Sequence, residues 1–345
     1  MQKNTENAIN LIPGIVLCLI IALPSWRMGK ILPTIGGPVF AIIIGIAVAT
    51  IFPAILSYNF PRWLRLEPGT KYTSKKLLQY SIILLGFDMN MYNVIKVGGQ
   101  SLIVMLFTFA AAFITAFLVG KLFQLPGNTT ILIGVGTSVC GGSAIAATAP
   151  VIGAKDSDVA RAISTIFLFN IVAVFLFPPI GRAMGMTDIG FGMWAGTAIN
   201  DTSSVVAAAT VWSESAGSNV VLQFATIVKL TRTLMIVPIT LALAIYTTKN
   251  KNSGGNFNFV KVFPWFVFLF MAAAIVNTFA GIPESVSKLL VMFSKFLITM
   301  ALAAIGLNTS LKTLFSNGIK PIALGLCCWL SLAVVSIIVQ SILNF

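Results

Sequence analysis

Gly134-Val135-Gly136-Thr137-Ser138-Val139-Cys140-Gly141-Gly142-Ser143-Ala144 and, further along, Trp194-Ala195-Gly196-Thr197-Ala198-Ile199-Asn200-Asp201-Thr202-Ser203-Ser204 are the stretches on which the reading of this chain turns. Each lies in an apolar run long enough to cross a bilayer, and each is interrupted near its middle. Gly141-Gly142 is a weak point in any helix. The run Asn200 to Ser204 sets polar side chains where lipid cannot hydrogen-bond them. Small residues alone serve close helix packing. A pair of interrupted spans is instead the sequence mark of a transporter's central site. Each break frees backbone groups, and half-helices that begin there present N-termini that attract anions.

Composition sets the solvent. Of 345 residues, 57% are hydrophobic and 9% charged, against about 25% charged in a typical soluble domain. That excludes a soluble globular protein, and disorder needs the opposite balance. Four cysteines are too few for a disulfide scaffold. What is left is an all-α polytopic membrane protein, and at about 20 residues per span plus a loop the length allows about 11 transmembrane helices. Apolar runs fall at 8–24, 35–56, 74–96, 99–121, 129–153, 157–184, 190–212, 219–246, 258–280, 285–307 and 320–344. Breakers such as Pro24-Ser25-Trp26-Arg27 and Leu125-Pro126-Gly127-Asn128 separate them. The first run has no convincing cleavage site and is read as a retained span.

The chain 1–345 then forms one transmembrane transporter domain: an extra span at 8–24, a first repeat region at 35–184 and a second at 190–345. Leu85-Gly86-Phe87-Asp88-Met89-Asn90-Met91 reads like Ile305-Gly306-Leu307-Asn308-Thr309-Ser310-Leu311. Those two spans run in opposite directions, as inverted repeats do. The stretches at Gly136 and Gly196 also align, but their spans would run the same way if each crosses once, so re-entrance and convergence both stay open.

The formal charge is +13, from 22 basic and 9 acidic residues. In a soluble protein this would suggest nucleic acid. Here it is the basic bias of cytoplasmic loops, and it places the N-terminus inside, with Arg62, Arg65, Lys71, Lys75 and Lys76 cytoplasmic and Arg27, Lys30 and Lys288 outside. No nucleic acid is expected as a partner. The chain contains no histidine, which excludes histidine-based zinc sites and Ser-His-Asp or Cys-His catalysis. No GxxxxGK[ST] motif is present for ATP. No metal or cofactor is expected, and the chain does not read as an enzyme.

Few charges remain within the spans. Asp201 is costly in a membrane and points to substrate, ion or proton handling; it also suits the cap of a half-helix Ser203 to Thr210. Lys229 and Arg232 share a helix face, about ten residues from the span ends in the case of Lys229, too far for snorkelling. Asp201 can neutralise one of them, which leaves one positive charge for an anion. Lys295 lies mid-span and either pairs with Asp88 or does not. Asp156 and Asp158 suit a helix start, Glu67, Asp188, Glu214 and Glu284 read as loop residues, and Cys140 reads as a small packing residue.

The segment Gly136 to Ile152 resembles the signature of the YeiH-type family of bacterial inner-membrane proteins, which carries the label sulfate exporter. Trp194 to Ala208, Lys229-Leu230-Thr231-Arg232 and Leu84-Leu85-Gly86-Phe87-Asp88 fit the same pattern. The resemblance runs from the second span to the end. It implies the fold of the bile acid and sodium/proton antiporter-like transporters: inverted five-helix repeats with two interrupted helices crossing near the bilayer centre. It also implies a multi-pass inner-membrane protein. The chain departs from the pattern where that family usually has His before this Asp and Gln after the Ser, since Asn200 and Ser204 stand there. Asn200 hydrogen-bonds but cannot titrate, so Asp201 becomes the main candidate for proton coupling.

The expected function is secondary transport of a small anionic solute, sulfate or a related sulfonate or organic anion, by alternating access. The substrate-binding residues would be Gly136, Thr137, Ser138, Cys140, Gly141, Gly142, Ser143, Thr197, Asn200, Asp201, Thr202, Ser203, Lys229 and Arg232, with Asp201, Asp88 and Lys295 as coupling residues. A cation/proton antiporter and a passive anion channel are the alternatives. The lipid bilayer is the surrounding partner, and a homodimer is among the open assembly states.

Overall fold

The computed structural model describes residues 10–51, 66–250, 264–309 and 318–343. Lys3, Arg62, Arg65, Lys251, Lys261 and Lys312, with Ser310 and Leu311 of the repeat motif, lie outside the described residues. Among those described every regular element is helical. In chain order they are α1 (Ile12–Ile31), α2 (Gly37–Ile51), α3 (Glu67–Tyr72), a π-helical turn (Thr73–Leu77), α4 (Leu78–Gly86), α5 (Met91–Leu122), α6 (Gly127–Ser138), α7 (Gly142–Ile152), α8 (Asp156–Ala183), α9 (Asp188–Ala198), α10 (Thr202–Ala216), α11 (Val220–Leu234), α12 (Ile236–Asn250), α13 (Trp265–Ala280), α14 (Glu284–Leu307) and α15 (Ile319–Ile342). Six stretches among them are long and apolar enough to cross a membrane: α1, α5, α8, Val220–Leu243, α14 and α15. Shorter apolar helices, α2, α7 and α13, accompany them.

Several boundaries differ from the sequence reading. The first helix does not stop at Pro24 but continues to Ile31. Proline removes one backbone N–H from a helix interior, and here the Ser25 hydroxyl donates to the Ile21 carbonyl at 2.7 Å, so the helix carries Trp26 and Lys30 onward. The break expected near Val97-Gly98 falls earlier, at Phe87 to Asn90, and α5 runs unbroken through Gly98-Gly99. Gly98 is needed there for packing, since a Cβ would come within 3.1 Å of Thr231 Oγ1. The acids read as loop residues are helical. Glu67, Asp188 and Glu284 open α3, α9 and α14, where a negative charge complements the helix dipole. Glu214 lies in the last turn of α10.

The chain divides into two compact units, each drawing on both halves of the sequence. The first comprises residues 1–91, 210–219 and 266–311; the second comprises 92–209, 220–265 and 312–345. Within the first unit, backbones meet at glycine. A Cβ on Gly306 of α14 would lie 2.5 Å from the Ile42 carbonyl of α2, and one on Gly86 of α4 would lie 2.5 Å from the Phe270 carbonyl of α13. Only glycine permits such approach. The second unit packs α15 against both α6 and α9. Its aromatic layer stacks Phe177 on Trp194 with ring centroids 4.0 Å apart, and Trp194 Nε1 donates to the Ala333 carbonyl at 3.1 Å. This unit holds both interrupted spans.

Candidate functional site at the two helix breaks

The first interrupted span stops at Ser138 and restarts at Gly142; the second stops at Ala198 and restarts at Thr202. Both breaks fall where the sequence places them. At the first, Gly141 adopts φ +66° and ψ −128°, a backbone that side chains with a Cβ rarely take. At the second, Ile199 is extended. Because the helix is broken there, Thr197 and Asp201 do not share the continuous helix face that an unbroken span would give them.

A helix that ends leaves its last carbonyls without intrahelical donors, and in a membrane interior water does not supply them. Here α11 supplies them. Arg232 Nε donates to the Ser138 carbonyl at 2.5 Å, and its two terminal nitrogens donate to the Thr137 carbonyl and to the carbonyls of Thr197 (2.6 Å) and Ile199 (3.2 Å). Lys229 Nζ donates to the carbonyls of Val139 (2.9 Å), Ile199 (3.1 Å) and Asn200. Both side chains are 0% exposed. One lysine and one arginine, a turn apart on one helix, thus hold the C-terminal ends of α6 and α9 together. The planar guanidinium fork suits this divided task, which an ammonium could not perform alone.

This corrects the expectation that one of the two cations is free for an anion. It also corrects the expected pairing of Asp201 with a cation. Among the described residues Asp201 forms no ion pair. Its Oδ2 accepts from the Ser203 backbone N–H at 3.0 Å and from the Ser203 hydroxyl, and its own N–H donates to Asn170 Oδ1 at 3.1 Å. Asp201 is therefore the N-cap of α10, which begins at Thr202 and not at Ser203. It is half-buried, and its Cβ lies 3.4 Å from where a Cβ on Gly141 would stand. The two breaks are in contact.

The remaining residues singled out by sequence fall into two groups. Thr137, Ser138, Thr197 and Asn200 are fully buried. The Ser138 hydroxyl turns back to Gly134 at 2.5 Å, and the Thr197 hydroxyl meets Met193 and Ser336, each at 2.7 Å. The Thr137 hydroxyl and both polar atoms of the Asn200 amide have no partner. Gly136 packs against Ile145 and Ile166, Cys140 is buried, and Thr202 is the buried first residue of α10. Gly142 is half-buried and Ser143 exposed. Asp88 and Lys295 do not join this cluster; both belong to the first unit. Asp88 accepts from the Ser287 hydroxyl at 2.7 Å, and Lys295 forms no ion pair among the described residues. Asn170 was not singled out from sequence, although an asparagine in the apolar run Ile166 to Phe175 is a signal of the same kind as Asp201.

Electrostatics favour negative charge at one place. Helix ends carry about half a charge each. Lys229 and Arg232 more than offset the C-termini of α6 and α9. Asp201 more than offsets the N-terminus of α10. The N-terminus of α7 has only Gly141 before it and no side-chain cap, so its first N–H groups are unanswered and the cluster keeps about one net positive charge.

Comparison with known proteins was made on this basis. The family model described as Conserved hypothetical protein 698 matches residues 13–325. A UPF0324 membrane protein of Fusobacterium nucleatum is 46% identical over 350 residues, covering 97% of this chain and 99% of that protein. A UPF0324 membrane protein of Streptococcus agalactiae serotype V is 48% identical over 336 residues, covering 96% and 98%. One from Streptococcus mutans is 44% identical over 339 residues, covering 96% and 97%.

Proposed function

The chain belongs to the UPF0324 membrane protein family, and from that premise we propose that it is a secondary transporter of a small anion, sulfate or a related sulfonate or organic anion. It works by alternating access in the bacterial inner membrane, with its N-terminus cytoplasmic. In this reading the chain has about 11 spans and inverted repeats. The reciprocal packing of Gly86 on α13 and Gly306 on α2 supports the repeat, because the two glycines come from the matched motifs and sit at matched close approaches.

The observation that carries the proposal is the uncapped N-terminus of α7, with exposed Ser143 in its first turn, inside a cluster of net positive charge. The anion accepts hydrogen bonds from the N–H groups of Gly142, Ser143 and Ala144 and from the Ser143 hydroxyl. Lys229 and Arg232 do not touch it; they hold the two breaks in register and supply the field. Asp201, across from Gly141, carries the coupling proton: protonated, it relieves its repulsion of the anion. The test is sulfate flux into proteoliposomes with and without a pH gradient. Flux in the wild type, loss in Ser143→Asp and loss of the pH dependence in Asp201→Asn are expected. Undiminished flux in Ser143→Asp, with the protein folded, sinks the assignment.

A cation/proton exchange reading has one observation in its favour. Both cations of α11 are committed to carbonyls, so Asp201 is the accessible ionisable side chain at the breaks. Sodium-driven proton movement in the absence of permeant anions is its signature; chloride-free, sulfate-dependent flux is the signature of the first.

A further inference from the structure

A second cationic site lies in the first unit, away from the helix breaks. A cavity of about 370 Å³ opens between α1 and α14, within the size range of ligand pockets. Lys30, Lys288 and Lys295 line it, with Asn219, Glu214 and Trp26. The charges are unequally answered. Glu214 turns its Oε2 to the Gly37 N–H, at 3.2 Å, at the start of α2. Lys288 pairs with Glu284 at 2.7 Å. Lys30 lies 5.7 Å from the centre of the Trp26 ring and has no carboxylate partner among the described residues, nor has Lys295. Lys295 sits two helical turns further along α14 than Lys288, which puts one cation well inside the cavity.

Next to this cavity, and sharing Trp26 and Met292 with it, is a smaller one of about 140 Å³ lined by Trp26, Met292, Phe293 and Phe296. Trp26 meets Phe296 edge-on, with centroids 5.8 Å apart. Met292 and Phe293 are exposed on the outer side of α14. A polar chamber with two unanswered lysines thus runs directly into an apolar cleft that opens on an exposed hydrophobic helix face. An inorganic anion would use only the first part, and a neutral apolar molecule only the second. From this juxtaposition we infer that the α1–α14 cavity binds an amphipathic oxyanion, its phosphate, sulfonate or carboxylate head against Lys30 and Lys295 and its apolar body against Trp26, Met292, Phe293 and Phe296. The head group of a bilayer phospholipid and a free alkyl oxyanion present the same chemistry. Binding here is independent of the transport proposed above, because no residue of the helix breaks takes part.

Trp26 reports on the site. Brominated phosphatidylglycerol, added to the full chain in neutral maltoside micelles, is expected to quench tryptophan fluorescence saturably, and that component is absent in Trp26→Phe. Brominated phosphatidylcholine is expected to do so several-fold less well. Lys30→Gln with Lys295→Gln raises the half-saturating concentration about tenfold, the loss of one charge-assisted contact. Lys30→Gln alone, at an exposed position, gives a smaller rise in the same direction and guards against misfolding of the double variant. Decanesulfonate distinguishes the sources. Displacement of the brominated lipid by decanesulfonate and not by inorganic sulfate identifies a free amphipathic anion as a ligand; lipid that decanesulfonate does not displace identifies the bilayer. Equal quenching by the two brominated lipids, or quenching by the anionic lipid that is unchanged in the double lysine variant, overturns the inference.

Discussion

The two interrupted spans are built alike on one side of the break and differently on the other. Both first halves, α6 and α9, end in carbonyls held by Lys229 and Arg232. The second halves diverge. Helix α10 brings its own anion, Asp201, to its N-terminus, whereas α7 brings a glycine. The shared side is scaffold and the unshared side is where chemistry can occur. A helix start that has already found a carboxylate has little left to offer a ligand, and one without a cap keeps its donors free.

The comparison can be broken most violently at its shared side. Arg232→Ala removes the donor to carbonyls from both spans, and each buried carbonyl left without a partner costs about 1–3 kcal/mol. The variant should lose its cooperative thermal transition in detergent, or unfold far below the wild type; a transition near the wild-type temperature would mean that the arginine is not a structural tie. Arg232→Lys should recover part of the loss, because an ammonium reaches fewer of these acceptors. Next in size is Gly141→Ala, which forces a Cβ into a left-handed backbone at a cost of about 1–2 kcal/mol. Thermal unfolding should show it, while Gly142→Ala, at the first helical position of α7, should be nearly silent.

Asp201→Ala tests the unshared side. Loss of an N-cap costs about 1 kcal/mol, read as a modest drop in transition temperature. Ser143→Asp makes the two helix starts alike by giving α7 a carboxylate in its first turn. It should leave the fold intact and abolish stabilisation by sulfate in a thermal-shift titration; persistent stabilisation would place the anion elsewhere. The smallest effect is expected at Asn200. Its amide is buried without partners, so Asn200→Ala gives up no hydrogen bond and should change stability by less than about 1 kcal/mol. A larger loss would show that the amide has a partner in the membrane.

Much of this site is legible in the sequence, and the part that is not has one physical cause. Gly141-Gly142 and Asn200-Asp201 announce the breaks because they oppose helix and lipid at once. Lys229 and Arg232 announce themselves as charges in an apolar helix. Their partners are invisible, because those partners are main-chain carbonyls of Thr137, Ser138, Val139, Thr197, Ile199 and Asn200, and every residue has a carbonyl. Searching side chains for a counter-charge therefore pointed to Asp201, which turned out to serve its own helix. Pro24 misled in the same way, since Ser25 and the Ile21 carbonyl let α1 pass through it. Glu214 read as a loop residue because its acceptor role toward the Gly37 N–H depends on contact across the fold.

The tie made by α11 also sets a schedule. Residues 127–216 are synthesised before Lys229 and Arg232 exist, so both broken helices leave the ribosome with their terminal carbonyls unanswered. They are finished from outside, by a later segment, in a single event that joins them to each other. Until that segment arrives neither break has a reason to stay at the depth it finally occupies. The insertion of α11 is therefore the step at which two separate hairpins become one machine.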